Sequence, residues 1–246
     1  SFPTRRSSDL IDGYHNGRMG RLKQKVFELA QKRIRLILAT GPDFTYRNAR
    51  SVFVPDYLYE GAKYAQYRLK ADTDADGKKR LAVCLGTMGK EKKLEEMAKA
   101  FTKCGYPLLI AGRFYDEERV RRLKEMSGDN VEVRNEYLSR EEYLSILSSA
   151  RYTVLPYPRE NYATQTSGVL QEAVFLDTIP VTYKEILDGN RIPGVGIGDF
   201  EELPEVLAEN KETAVRNRQL REQYKNLRKE VYDAEKVRET YRKVFG

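Results

Sequence analysis

Three short stretches of the chain carry residues whose types and spacing suit chemistry on a phosphorylated ligand. In LGTMGKEKKLEEM, residues 85–97, Gly86, Gly89 and lysines 90, 92 and 93 follow an apolar run and precede a helical pattern. Glycines let an anion approach the backbone, a helix N-terminus favours negative charge, and a lysine adds a point charge. The spacing is neither a Walker A motif nor a dinucleotide fingerprint, and it also fits an ordinary turn with solvated lysines. In IAGRFYDEE, residues 110–118, Gly112 permits the turn and Arg113 follows, a guanidinium able to bond a phosphate twice or simply to face water.

The third stretch, VLPYPRENYATQTSGVLQEAVFLDTIPV at 154–181, is the richest. A strand pattern ends at Pro156, a polar loop leads to Thr166, Ser167 and Gly168, and a helix opens with VLQEAV. Thr-Ser-Gly at a helix start presents cap hydroxyls and free N–H groups, the groups a diphosphate needs. Glu172 lies four residues after Gly168 and so shares its face. A carboxylate there suits the two vicinal hydroxyls of a ribose; the other reading is an exposed helical glutamate. Glu160 in the loop is a less constrained candidate.

The elements that must position these residues follow from hydropathy. Apolar runs at 81–85, 107–111, 131–133, 152–156 and 179–183 alternate with helical patterns at about 90–103, 115–126, 139–149, 168–176 and 200–209. Such alternation predicts an α/β fold, a Rossmann-like parallel sheet with helices on both faces, whose strand carboxyl ends form the ligand crevice. Ser139 with Glu142 three residues on forms a capping box. Before this block, residues 18–40 read as a basic helix and then a buried strand, 51–55 as a short apolar run, 57–69 as a helix, and 71–79 as a polar linker. From 211 onward Leu220, Tyr224, Leu227, Val231, Ala234, Val237 and Tyr241 form one stripe on a long charged helix, which predicts docking on the same chain, with a coiled-coil dimer as the alternative.

These pieces, in this order, resemble the donor-binding C-terminal domain of group 1 glycosyltransferases of the GT-B fold. The resemblance rests on Gly86 with Lys92 six residues on, LLIAG, VEVRNEYLSREEYLSILSSARYTVLPY and SGVLQEAVFLDTIPV, and covers residues 81–183. It implies transfer of a sugar from a nucleotide-sugar donor to a glycan, lipid-linked or small-molecule acceptor, with no further cofactor. By position it implies Lys92 for the donor diphosphate, Thr166, Ser167 and Gly168 as the anion cradle, Glu172 for the ribose, and Asn135, Glu136 and Tyr137 around the base. Gly86 and Arg113 complete the expected donor set. The family has two glutamates separated by seven residues, whereas eleven separate Glu160 from Glu172; Thr87 stands where an arginine often follows the first-strand glycine.

The same resemblance divides the chain. Residues 1–10, SFPTRRSSDL, read as a translated sequencing adapter or a natural polar tail, disordered either way. Residues 11–75 read as the remnant of an N-terminal acceptor domain with its linker, 76–210 as the nucleotide-sugar-binding domain, and 211–246 as a helix packing back toward the N-terminal part. The fragment is then expected to hold its donor without turnover, the catalytic residues lying in the missing domain. His15, the sole histidine, reads as a surface residue.

The formal charge of +7 is concentrated at the front, where residues 1–75 hold 14 Lys and Arg against 8 Asp and Glu. Arg18, Arg21, Lys23, Lys25, Lys32, Arg33 and Arg35 give the alternative reading of a basic module for nucleic acid or an anionic membrane surface. Peripheral membrane contact through 18–35 is kept with the main reading, and nucleic acid is not expected there. The bland reading is a solvated helix packing its Val26 and Leu29 side. A GT-B-fold sugar-nucleotide epimerase is the third reading, disfavoured by the single histidine. Cys84 and Cys104 read as structural thiols, and the acidic stretch 72–76 as solvated charge with no metal site. No window approaches about 18 consecutive apolar residues, and the N-terminus has no signal-type run, so a soluble, cytoplasmic protein is expected.

Overall fold

The computed structural model describes residues 22, 25–26, 29–30, 32–34, 36–39, 50–55, 59–70, 79–159 and 167–245. Residues 1–10, His15, Arg18, Arg21, Lys23, Arg35, most of the 71–79 linker, Glu160 and Thr166 lie outside them.

Two parallel strands come first, β1 (Leu36–Ala39) beside β2 (Arg50–Phe53), then helix α1 (Gly61–Lys70). The main sheet has six parallel strands: β3 (Lys79–Leu85), β4 (Leu108–Gly112), β5 (Val131–Asn135), β6 (Ala150–Val154), β7 (Ile179–Tyr183) and β8 (Val195–Ile197), ordered β5-β4-β3-β6-β7-β8. Strands β4, β6 and β7 are buried at every position, as expected of a sheet covered on both faces. The connecting helices are α2 (Leu94–Cys104), α3 (Glu117–Met126), α4 (Arg140–Ser149), α5 (Gly168–Leu176) and α6 (Lys184–Asn190). A 3₁₀ turn (Phe200–Glu202) and α7 (Leu203–Val206) replace the single helix expected at 200–209.

All five expected strands of this sheet are present; β8 and α6 are additions. β8 is a three-residue strand, VGI, and α6 is seven residues containing a glycine, so neither has room to display a period. The capping box at Ser139 and Glu142 forms in full. Both cysteines are free thiols, Cys84 buried.

The tail is helical as expected but is two helices, α8 (Lys211–Glu230) and α9 (Ala234–Phe245). Asp233 accepts from the Glu235 and Lys236 amides, which caps and restarts the helix there. The stripe docks on the same chain: Tyr224 is fully buried and donates to the Pro193 carbonyl at 2.9 Å, and Arg228 pairs with Asp177 at 2.6 Å. The N-terminal basic helix corrects its bland reading. Leu22, Val26 and Leu29 are 57, 58 and 64% exposed, and no described residue covers them.

Gly86 and Gly112 end neighbouring strands with positive φ, +104° and +147°. A Cβ on Gly112 would sit 1.9 Å from the Gly86 carbonyl oxygen, backbone that cannot move aside. Gly112→Ala is therefore expected to cost roughly 2–4 kcal/mol in chemical denaturation. Gly61→Ala, in open space at the start of α1, should be neutral or stabilise by about 0.5–1 kcal/mol.

Candidate functional site

From β3 the chain moves outward through β4 to β5, then returns to lay β6 on the other side of β3 and continues through β7 to β8. The carboxyl ends of β3 and β6 therefore flank a topological switch point, where loops diverge and leave a crevice.

On one side of the crevice the loops are stitched backbone to backbone. Gly86 donates to Ala111, Met88 to Arg113, and Glu136 to Gly112, at 3.2, 2.9 and 3.1 Å. Asn135 accepts from the Phe114 amide at 3.0 Å and donates to Glu117 at 2.5 Å, so its side chain is committed to structure. This shelf brings Gly86, Gly112, Asn135 and Glu136 together. Arg113 and Tyr137 stand off it: the Arg113 guanidinium lies 5.1 Å over the exposed Tyr115 ring, and Tyr137 is 86% exposed.

The glycine-lysine loop after β3 is held from below by Arg119 of α3. The buried guanidinium donates to the carbonyls of Gly89 (2.8 Å) and Lys92 (2.6 Å) and pairs with Glu95 at 2.7 Å. That clamp explains why α2 begins at Leu94 rather than at 90. Lys93 then crosses the switch point, its amide donating to the Pro156 carbonyl at 2.8 Å. Lys92 is buried with its ammonium 5.4 Å over the Tyr157 ring, and it forms no ion pair among the described residues. Lys93 and Arg159 both lie over Tyr183, at 5.6 and 4.3 Å, where Glu96 and Glu185 approach them at 3.6 and 4.0 Å. Three cations thus border the crevice, Lys92 being the one with no carboxylate beside it among the described residues.

Helix α5 leaves β6 through Ser167, whose amide bonds the Asn190 side chain at 3.3 Å and whose hydroxyl is 3.4 Å from Tyr157 Oη. Gly168 faces open space. One turn on, Glu172 is buried, which overturns its reading as an exposed glutamate. Burying a carboxylate demands partners, and α4 supplies two: Arg140 Nη2 lies 2.5 Å from Oε1, and the Tyr143 hydroxyl donates to Oε2 at 2.7 Å. Burial first, then the neighbouring Glu172 charge, pushes the Tyr143 hydroxyl well above the usual tyrosine range, with Tyr157 adding to it. Tyr143 is therefore a hydrogen-bond donor to Glu172 at neutral pH.

The sequence reading missed Arg119, Arg140, Tyr143, Tyr157, Arg159 and Asn190. Arg140 did carry a signal, because a cation at the first position of a capped helix opposes the helix dipole and needs a compensating anion. Among the described residues no three His, Cys, Asp or Glu side chains cluster as metal ligands.

No protein-family model and no curated protein sequence matches the chain. Solved structures do. HepE of Anabaena in complex with UDP superposes at TM-score 0.64 with 10% identity, over 91% of this chain and 67% of that one. Its complex with UDP and glucose gives 0.62, over 96% and 69%. The UDP-forming α,α-trehalose-phosphate synthase of Burkholderia xenovorans, in complex with glucose-6-phosphate, gives 0.55 with 12% identity, over 79% and 51%. The chain thus has a GT-B glycosyltransferase-like fold and spans between about half and just over two thirds of the length of these structures.

The Arg119 clamp has a pH signature. Hydrogen bonds from Arg119 hold the Glu95 carboxyl below the ordinary glutamate value near 4.5. A depressed carboxylate contributes stability above its unfolded value and loses it as pH falls through its folded value. Glu95→Gln should therefore flatten the acid limb of a stability-against-pH curve below about pH 4.5. Arg119→Met should lower stability by about 2–3 kcal/mol at neutral pH, since it leaves two carbonyls and a carboxylate without their donor.

Proposed function

We propose that this chain binds a nucleotide-sugar donor and forms the donor half of a glycosyltransferase. The observation that carries the reading is Glu172: a buried carboxylate one turn into the helix that follows the switch point, with one protein donor on each oxygen. An ionised carboxylate has about four acceptor sites, so each oxygen keeps one for a vicinal hydroxyl. The ribose of the donor takes these two sites.

The remaining roles follow from position. The donor diphosphate lies against Lys92 and the start of α5, with Thr166, Ser167 and Gly168 as cradle and Lys93 and Arg159 as flanking charge. As the bond from the anomeric carbon to the diphosphate breaks, negative charge grows on the leaving oxygen. A fixed lysine and oriented helix dipoles stabilise that charge without reorganising. The base rests near the shelf formed by Gly86, Gly112, Asn135 and Glu136, with Arg113 and Tyr137 at its rim. Glu160, outside the described residues, is kept as a candidate for the sugar or the reaction centre.

In this reading residues 76–210 are the donor domain and 211–246 the tail that packs back toward the N-terminal part. Residues 53–55 share a cleft of about 260 Å³ with residues 230–240, which supports that path. The acceptor, a glycan, lipid-linked or small-molecule hydroxyl, is bound by surfaces belonging mainly to an N-terminal domain of which 11–75 is part. Among the described residues no helix is long and apolar enough to cross a membrane.

Thermal unfolding against UDP, GDP, ADP, TDP and CMP, with their common sugars, tests the donor reading. A ligand at about 100 times its Kd adds about 2.7 kcal/mol, roughly 5–10 °C for a chain of this size. One nucleotide family should give that shift and Glu172→Gln should remove most of it; no shift from any member would reject the reading.

One observation favours a second role. The exposed Leu22, Val26 and Leu29 lie on a helix carrying Lys25 and followed by Lys32 and Arg33, the composition of an interfacial amphipathic helix rather than of a nucleic-acid groove. Cosedimentation with vesicles containing anionic lipid should be strong at low salt and weaken steeply toward physiological salt. Leu29→Glu should reduce it at every salt concentration; salt-insensitive binding, or none, would discard the role.

A further inference from the structure

We infer that Arg140 is a positioning residue that sets the Glu172 carboxylate for a vicinal diol, with Tyr143 fixing the other oxygen. The inference rests on the donor-site reading above and names the residues that give that site its selectivity for a ribose over a deoxyribose.

Three side chains hold one another. Arg140 Nη2 is 2.5 Å from Glu172 Oε1 and 2.6 Å from the Tyr64 hydroxyl of α1. The Arg140 guanidinium lies 5.4 Å over the Tyr143 ring, and the Tyr143 hydroxyl closes the triangle on Oε2 at 2.7 Å. Arg140 and Tyr143 stand three apart in the first turn of α4, one helix face apart by nothing more than a turn, and the Ser139–Glu142 box fixes that turn. The last torsion of a glutamate is broad and roughly two-fold. Without a donor on each oxygen the carboxylate swings, and its two free acceptor sites no longer point at adjacent hydroxyls together.

The placement of Arg140 argues for a purpose beyond joining α4 to α5. Its side chain is 48% exposed while that of Glu172 is 12% exposed, so the arginine is the more open member of the pair and the carboxylate the more enclosed. A cation at the first position of a helix works against the helix dipole. A local rule broken in this way is expected where function requires it. An apolar contact would have joined the two helices at lower electrostatic cost.

The experiment is calorimetric titration with UDP, GDP and ADP, each beside its 2′-deoxy form. The protein is taken as wild type and as Arg140→Met, Arg140→Lys and Tyr143→Phe. The wild type should favour the ribose form of one nucleotide by roughly ten- to hundredfold, the worth of a hydrogen bond to a charged group. Arg140→Met should bring that preference to within about threefold of unity, Arg140→Lys should retain part of it, and Tyr143→Phe should lower it several-fold. A purely structural Arg140 would change the melting temperature and leave the ratio of ribose to deoxyribose affinities untouched. If Arg140→Met does not fold, Tyr143→Phe reads the same ratio while losing only a hydroxyl. An unchanged ratio in variants that still bind UDP overturns the positioning role and leaves the donor site standing. A wild type that binds ribose and deoxyribose forms alike overturns the inference. A wild type that binds none of the three overturns the donor-site reading and the inference with it.

Discussion

Helix α5 is buried from Leu170 to Leu176, and that burial dictates much of what surrounds it. A helix enclosed on nearly all sides cannot leave a polar group to water, so each one must find a protein partner. Gln171 accepts from the Tyr59 hydroxyl at 3.0 Å. Glu172 takes Arg140 and Tyr143. At the far end the carbonyls of Val174 and Phe175 receive Arg228 and Arg68, and Asp177, in left-handed conformation at φ 56°, pairs with both arginines. Thr178 donates to the Leu147 carbonyl at 2.6 Å. The partners come from α1 and the residues just before it, from α4 and from α8, so one helix gathers three distant parts of the chain.

The same logic governs the other wall of the crevice. A loop rich in glycine and lysine has few side chains to pack besides the buried Met88, and it is held by Arg119 below, by the Met88–Arg113 backbone bond beside it and by Pro156 across. Because Arg119 is satisfied by two carbonyls and Glu95, it carries no spare charge toward the crevice. Lys92 is the opposite case. Its stem is buried and its ammonium rests on a tyrosine face, an arrangement worth about 0.5–2 kcal/mol that leaves the charge unneutralised. Residues that build the crevice and residues that offer charge to it are thus different residues, although they are neighbours in sequence.

This division explains how much of the molecule was legible in its sequence. Buried parallel strands are near-continuous apolar runs, so β3 to β7 could be read directly, and the capping box marked α4 to the residue. β8 and α6 are too short to show a period. At the candidate site, Gly86, Lys92 and Glu172 were visible because a glycine at a strand end, a lysine before a helix and a glutamate one turn inside one are local patterns. Arg119, Arg140 and Tyr143 were not, because each acts on a residue 24 to 32 positions away, a distance at which spacing carries no information until the sheet brings the loops together. The exposure of Leu22, Val26 and Leu29 was hidden for the same reason, since an amphipathic pattern tells which face is apolar and not what covers it.

The segment ahead of the linker packs on the six-stranded core through aromatic side chains. Tyr59 stacks on Phe175 at 4.3 Å, Tyr64 lies 5.2 Å from the same ring, and Tyr232 approaches it from α8's end at 5.8 Å. Aromatic groups of this size bury 150–250 Å² each in general and dominate the energetics of a contact. Residues 59 to 70 are therefore held to the six-stranded core by hydrophobic burial, while their hydroxyls reach Gln171 and Arg140. Composition marks a polar segment, and packing marks where folding is cooperative; the two need not coincide. Here the tyrosines tie residues 59–70 to the core, and α1 reaches Glu172 through the Tyr64–Arg140 hydrogen bond.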